Sequence, residues 1–409
     1  MVPEVGEHRD SPASDIGGDS EPYVSEVGWD TDPDVAGWPG LSSLEEHLTA
    51  DVCVVGLGGS GLAAVGEVLR RGLSVVGVEA GRVAAGAAGR NGGFLLGGPA
   101  VPVHRAADRW GPEAALALYR ATLDEISALA GLLGPDVIRR TGSIRLAGLP
   151  GEPRDAAEAA DRDVERADCD QQYHVLRQHG IAVRRYRGEL GDGLFLPDDA
   201  VMNPARRALG LARLYGVSAP LFERSPVMSI GSGGIVTRAG SVAAGLVVVS
   251  VDGGLEVLVP ELAGRVRTAR LQMLTTAPVS PGRLPCPVYG RWGFDYAQQD
   301  AAGRLFAGGG RDRFVDAEWT IDTAPTGSVQ GWIEQVATRF AGAPATVTHR
   351  WAASVGYTRD GRPLVTRVRD GVVACGGYNG TGNLVGPLAA RAAVALGLDE
   401  TAPPVWFAC

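Results

Sequence analysis

The sequence predicts an α/β fold: a parallel sheet flanked by helices, combined with an antiparallel sheet. Three observations predict it. Residues 51–79 run as apolar strand, glycine turn, helix, apolar strand and acid. Residues 226–280 alternate β-branched residues with glycine, as a meander of strands does. Long helical patterns at 112–133 and 152–178 separate these strand-rich stretches.

The elements follow in order. Residues 1–50 hold twelve acids and one arginine, so the net charge of −9 belongs to this leader and the body is nearly neutral. The leader is rich in Pro, Gly, Ser and Asp, and its first twenty residues are expected to be disordered. Tyr23, Trp29 and Trp38 predict that its later part packs on the body. Residues 51–55 form a buried strand, 62–71 a helix and 74–78 a second buried strand. A strand at 141–146, a helix from Asn203-Pro204 to 214 and two strands around 298–303 come next. A helix at 328–341, strands and glycine turns at 349–385 and a last helix at 387–396 complete the pattern.

Composition narrows the chemistry. All 38 basic residues of the 409-residue chain are arginine, because no lysine occurs. Schiff-base chemistry on lysine and the lysine-dependent phosphoryl-transfer machineries are therefore excluded. The acidic balance argues against nucleic-acid partners. No apolar run reaches the 18 residues of a membrane span. The acidic opening MVPEVGEHRD lacks a signal-peptide core, and a cytoplasmic location is expected. The five cysteines are odd in number and lack metal-site spacing, so no metal is expected and reduced thiols are. The 59 glycines suggest tight turns around a ligand.

Gly56-x-Gly58-x-x-Gly61 carries the sharpest signal. Gly56 suits a tight turn, Gly58 lets backbone approach a pyrophosphate, and Gly61 lets the helix pack on its strand. The helix N-terminus then faces the phosphates. Glu79 stands eighteen residues later at the end of the second strand, where an acid bonds the ribose hydroxyls. A second glycine-rich loop follows at 80–94, which a simple NAD domain does not need. The segment Gly376-Gly377-Tyr378-Asn379-Gly380-Thr381-Gly382, between a strand and a helix, predicts a nest of backbone N–H groups suited to negative charge.

On these residues the chain resembles the FAD-dependent amino-acid and amine oxidase family, which includes D-amino-acid oxidase, glycine oxidase and sarcosine oxidase. Four blocks match in order: 51–79, GAAGRNGG at 86–93, QMLTTAPV at 272–279, and 351–387 with TRDGRPLV and CGGYNGTGNLVGP. The RNGG loop and aromatic leader resemble the γ-glutamylputrescine oxidase-like branch most. The resemblance implies a Rossmann-like FAD-binding domain over 50–105, 190–250 and 348–409. This domain is interleaved with an antiparallel-sheet substrate domain over 106–189 and 251–347. It implies FAD held by Gly56, Gly58, Gly61, Glu79, Arg90, Asn91, Gly92, Gly377, Gly380, Thr381 and Gly382. Ala353 takes the family's usual attachment position, so the FAD is expected to be non-covalent.

The family moves a hydride from a carbon bearing an amine to the flavin; the imine then hydrolyses and dioxygen reoxidises the flavin. A small-molecule amine substrate and dioxygen, giving hydrogen peroxide, are therefore the expected partners. The alternatives are a dehydrogenase of an amine or hydroxy acid with a non-oxygen acceptor, or a flavin-binding protein with degenerate catalysis. The family's carboxylate anchors, an arginine and a lysine, align with Val355 and Leu384, which disfavours a small α-amino acid. The lysine that promotes reaction with dioxygen in sarcosine oxidases has no counterpart. Arg291, Arg311 and Arg313 are either substitute anchors or surface charges. Trp292, Phe294 and Tyr296 at i, i+2 and i+4 share one strand face, and either wall an amine pocket or pack as core. Tyr378 and Asn379 are candidates to face the flavin, and His104 is either a pocket base or a structural histidine.

Overall fold

The computed structural model describes residues 23–408, and the leader's expected disorder falls outside them. The chain forms two compact units, one of 29–90, 203–269 and 354–408 and one of 23–28, 91–202 and 270–353.

The first unit is built on a parallel sheet. His47–Val55 lies between Ser241–Val249 and Val75–Val78, parallel to both. Leu221–Phe222 and Val372–Gly376 extend the parallel run. Val227–Gly231, Gly234–Thr237 and Leu364–Arg369 join antiparallel. Val52, Cys53 and Val54 are fully buried, because both faces of the strand are covered. Helices Gly59–Arg70, Pro204–Gly216 and Gly382–Asp399 belong to this unit. Asn203 caps the second of them, accepting from the N–H groups of Ala205 and Arg206, with Pro204 at the first helical position.

The last helix begins five residues before the start expected at Pro387, which stands inside it. Pro387 has no N–H for the carbonyl of Asn383 one turn back. Arg207 Nη2 donates to that carbonyl at 3.1 Å and takes the missing place. The leader's later part packs on this unit as expected. Trp38 Nε1 donates to Glu223 Oε1 at 2.9 Å, and Leu41 N to Glu223 Oε2 at 3.0 Å. Trp29 is buried, whereas Tyr23 is exposed.

The second unit is dominated by a mostly antiparallel eight-stranded sheet. Its order is Val347–Thr358, Val266–Pro278, Arg304–Gly308, Asp295–Gln299, Val288–Gly290, Ser143–Leu146, Gly191–Leu196, Arg184–Gly188. One face, with Ile144, Leu146, Val288, Ala297 and Ala307, packs under the helix Gly327–Ala341 through Ile333 and Phe340. The opposite face carries Arg145, Tyr289, Tyr296 and Gly308 in one cross-strand row. Leu194 and Leu196 on that face meet the helices Val103–Trp110, Pro112–Leu133 and Ala156–Gln178.

Trp292, Phe294 and Tyr296 do not share a strand face. The strand starts only at Asp295, and Arg291–Gly293 is a tight turn with Arg291 and Trp292 at positive φ, 48° and 57°. Glu165 on the helix Ala156–Gln178 accepts from the N–H groups of Arg291 and Trp292, and Asp168 accepts from Trp292 Nε1 at 2.7 Å. These bonds turn Trp292 away from the strand.

Asp199 is 1% exposed and accepts from Ser143 Oγ at 2.6 Å and Gly97 N at 2.8 Å. Burial outweighs both bonds and pushes its pKa from 3.8 up to about 7. The folded chain therefore holds this proton in a range where the unfolded chain has lost it. The stability it contributes is complete at low pH and is lost as pH rises through about 7. The fall in wild-type melting temperature across that window is expected to shrink in Asp199→Asn, as calorimetry at stepped pH would show. Phe340→Ala should lower the unfolding free energy by about 3–5 kcal/mol, read by chemical denaturation, because the side chain is fully buried.

Candidate cofactor and active site

The glycine turn of the parallel unit has the geometry of a phosphate cradle. Gly56 sits at φ 91°, and a Cβ on it would stand 3.0 Å from the Ser250 carbonyl oxygen. A Cβ on Gly61 would overlap the carbonyl oxygen of Gly56, so the helix Gly59–Arg70 presses directly on the turn. Gly58 caps this helix in an extended conformation with no side-chain bond to its first turn. The first-turn N–H groups lack intrahelical acceptors and, with the helix dipole, favour an anion. Glu79, at the end of the next strand, accepts from Leu57 N at 2.9 Å and Gly81 N at 3.1 Å. It fixes the turn through these two bonds.

Arg207, 1% exposed, completes this corner, and nothing in the sequence reading pointed to it. Its guanidinium lies so close to Gly59 that a Cβ there would overlap it. Because it also bonds the Asn383 carbonyl, it stands at the N-terminal ends of two helices, Gly59–Arg70 and Gly382–Asp399. Two dipole ends and a guanidinium converge there, which fits a pyrophosphate.

The second glycine segment is less open than its sequence suggests. Gly377, Asn379 and Gly380 adopt positive φ, 63°, 54° and 86°. Several donors of the expected N–H nest are used inside it. Tyr378 N donates to Asp252 Oδ1 at 3.0 Å, Asn379 N to the Gly356 carbonyl at 3.0 Å, and Thr381 N to the Tyr378 carbonyl at 2.9 Å. The Asn379 side chain accepts from Thr358 N at 3.0 Å and donates to the Gly377 carbonyl at 2.8 Å, so it builds the turn. Tyr378 is buried, and burial raises its phenol pKa well above 10.0. Asp252 was also missed. Burial pushes its pKa to about 6 against the pull of the Tyr378, Gly356 and Gly377 N–H groups. The available signal was its place: like Glu79, it is an acid just past the end of a buried strand.

Arg90 ends the short helix Ala87–Arg90 in this unit, half-buried, and burial lowers its pKa. The structure therefore brings Gly56, Gly58, Gly61, Glu79, Arg90, Gly377, Gly380, Thr381 and Gly382 into one unit.

In the other unit, Asn91 Oδ1 accepts from Gly93 N at 2.7 Å and shapes its own loop. Gly92 lies under Tyr296: a Cβ on it would stand 2.8 Å from Tyr296 Cε2. Gln298, on the same strand face, donates to the carbonyls of Gly92 and Met202. Phe94 meets Tyr296 edge-on at 5.6 Å between ring centres. Asn91, Gly92 and Tyr296 are thus assembled.

His104 stands elsewhere, on the helix Val103–Trp110, with Nε2 3.0 Å from Asp168 Oδ1. Asp168 also pairs with Arg105 at 2.7 Å. Burial raises the Asp168 pKa, but the bonds from His104, Trp292 and Arg105 outweigh it and leave the group at about 2. The substitute anchors are engaged as well. Arg291 pairs with Asp295 and Asp312, Arg311 lies 4.3 Å over the Trp319 ring, and Arg313 lies 3.9 Å over the Trp332 ring. Leu384 is buried, Val355 half-buried, and the buried Cys375 contacts Ser250 Oγ at 3.4 Å.

Gly61→Ala should abolish cofactor retention, because the added methyl drives the helix off the Gly56 carbonyl. The purified variant is expected to be colourless and its Tm unmoved by added FAD, while the wild type is yellow.

Comparison with known proteins agrees with this geometry. A family described as FAD dependent oxidoreductase matches residues 51–396. A probable oxidoreductase OrdL of Rhizobium meliloti is 25% identical over 346 residues, covering 81% of this chain and 79% of that protein. The gamma-glutamylputrescine oxidoreductase of Escherichia coli is 26% identical over 305 residues, covering 66% of each. Among solved structures, glycine oxidase from Geobacillus kaustophilus superposes with a TM-score of 0.66 at 21% identity, covering 87% of this chain and 95% of that one. L-proline dehydrogenase from P. horikoshii gives 0.68 at 17% identity, covering 88% and 96%. No helix among the described residues is long and apolar enough to cross a membrane. The matched span covers both glycine segments and the sheet between them, and the chain belongs to the family of FAD-dependent oxidoreductases.

Proposed function

We propose that the chain oxidises the C–N bond of an amine or amino-acid-like substrate, with dioxygen as acceptor, in the cytoplasm. The observation that carries this reading is the assembly of Tyr296 on Gly92, in the loop directly following Arg90, within a chain whose other glycine segments form a dinucleotide cradle. The names of the Escherichia coli and Geobacillus kaustophilus relatives, which concern an amine and an amino acid, support the substrate class.

When bound, FAD supplies the two-electron acceptor that the side chains lack. The chain's own groups divide the remaining work. The first turn of Gly59–Arg70 and the Arg207 guanidinium would hold the pyrophosphate, and Glu79 would meet the ribose. Asp252 and Asn379 keep the Gly377–Gly382 turn in shape through the bonds described. Gln298 fixes the Gly92 carbonyl and so the loop on which Tyr296 rests. Tyr296 and Tyr289 present a partly exposed aromatic face suited to a substrate with an apolar stem. In the reaction the C–H bond next to nitrogen breaks, the nitrogen lone pair closes the C=N bond, and water adds to give a carbonyl compound and a free amine. Two electrons and two protons then convert dioxygen to hydrogen peroxide. His104 is held by its contact with Asp168 and has a structural role in this reading.

The absence of lysine favours a second reading, in which a different acceptor takes the electrons. One experiment separates the cases. A panel of amines is mixed with holoenzyme without oxygen and the flavin absorbance followed; air is then admitted and peroxide measured. Bleaching followed by stoichiometric peroxide within seconds is expected. Bleaching with slow recovery in air identifies a dehydrogenase. A flavin that no amine bleaches overturns the amine reading.

A further inference from the structure

Glu223 is a fully buried carboxylate that joins two stretches of chain. Its Oε1 accepts from Trp38 Nε1 at 2.9 Å and from Val83 N at 2.8 Å. Its Oε2 accepts from Leu41 N at 3.0 Å and from Arg224 Nη1 at 3.3 Å. A single oxygen thus ties the leader to the loop that follows Glu79. Gly40, at φ 79°, makes room for this contact, because a Cβ on it would stand 3.2 Å from Oε2.

The backbone around Glu223 is sewn to both stretches. On one side Glu79 N donates to the Phe222 carbonyl, Ser225 N to the Glu79 carbonyl and Arg224 N to the Gly81 carbonyl, each at 2.8 Å. On the other side Glu223 N donates to the Ser42 carbonyl at 3.0 Å, and Leu44 N to Ser225 Oγ at 2.8 Å. Both backbone groups of Glu79 are therefore fixed by residues 222–225, and those residues are fixed in turn by the leader. Strained backbone flanks this seam, with Arg224 at φ 49° and Ala84 at φ 71°. Such conformations persist only where their neighbours hold them. The other link between leader and loop, Asp30 with Arg82 at 3.2 Å, is a partly exposed ion pair and adds little. All these residues belong to the parallel-sheet unit.

We propose that Glu223 is a positioning residue for the adenosine end of FAD, through which the leader segment 38–44 and the cofactor stabilise each other. The proposal rests on the reading that Glu79 meets the ribose. Glu223 acts on the cofactor through Glu79 and the loop 80–83, which it holds in one arrangement. A carboxylate has acceptor sites on both oxygens, so it serves donors from leader and loop at once. The leader and FAD then favour the same arrangement of the loop, and by linkage each tightens the other by the same factor.

The test follows FAD release from diluted holoenzyme by the fluorescence of the freed flavin. Glu223→Gln should speed release by about tenfold to hundredfold, because the amide turns N–H groups toward donors that lose their acceptor. Trp38→Phe removes one leader donor at a half-buried position. It should speed release by about threefold to tenfold, and should add nothing in the Glu223→Gln background. In wild-type protein diluted to partial occupancy, excess FAD should slow chymotryptic cleavage after Leu41 and Leu44 by about fivefold or more. Glu223→Gln should lose this protection, which a purely structural role would not connect to FAD. Release at the wild-type rate in both variants, additive effects in the double variant, leader cleavage indifferent to FAD, or a changed visible spectrum of the flavin still bound to Glu223→Gln would each overturn the proposal. Should Glu223→Gln fail to fold, Trp38→Phe and the cleavage assay decide. If Glu79→Gln releases FAD at the wild-type rate while Glu223→Gln releases it faster, the coupling stands and the ribose reading fails.

Discussion

Everything in the parallel unit depends on how closely the helix Gly59–Arg70 approaches its strand. Residue 61 has no side chain, so the helix rests on the carbonyl of Gly56. Gly66 admits the Tyr215 ring against the same helix, and Gly386 admits Ser60 from the other side. With glycine at these points, three helices converge, and Arg207 reaches both Gly59 and the carbonyl that Pro387 leaves without its usual donor. The proline that interrupts one helix thus gives a guanidinium from another its place, and two helix N-termini are brought to one corner.

The chain uses carboxylates as internal fasteners. Glu79, Glu223, Asp252, Asp199, Asp168 and Glu165 each accept from backbone N–H groups or side chains of distant segments. A carboxylate offers several acceptor sites, so one residue satisfies donors at a strand end, a turn and a helix together. The result depends on desolvation. Asp168, bound by the Arg105 guanidinium, His104 and the Trp292 indole, stays ionised, while Asp199, Asp252 and Glu165, met chiefly by neutral donors, have raised pKa values.

Without lysine, arginine carries every buried positive charge, and the buried arginines divide by their surroundings. Arg291 and Arg270 are paired with acids. Arg207 is fixed at helix ends, and Arg145 donates to the buried Gln172. Arg145 has a faint sequence signature: it alternates with Ile144 and Leu146 in a strand, which puts a charge on the face opposite the apolar core. The sequence points instead to Arg291, Arg311 and Arg313 as substitute anchors, and the fold engages all three with acids or rings.

By itself the sequence determined the α/β class, the dinucleotide turn with its acid, the loop at Asn91–Gly92 and the second glycine segment. These are local features, set by glycine positions, apolar runs and spacing within a few tens of residues. It also determined the capped start at Asn203-Pro204, for the same reason. Only the tertiary structure decided which donors of the 376–382 segment remain available, because Asp252 and Gly356 come from other stretches of chain. Only it took Trp292 off the strand, through Glu165 and Asp168 more than a hundred residues away. Only it distinguished, among the described residues, the buried arginines paired with acids from those held by neutral acceptors, because a charge's worth is set by neighbours that the fold, not the local sequence, supplies.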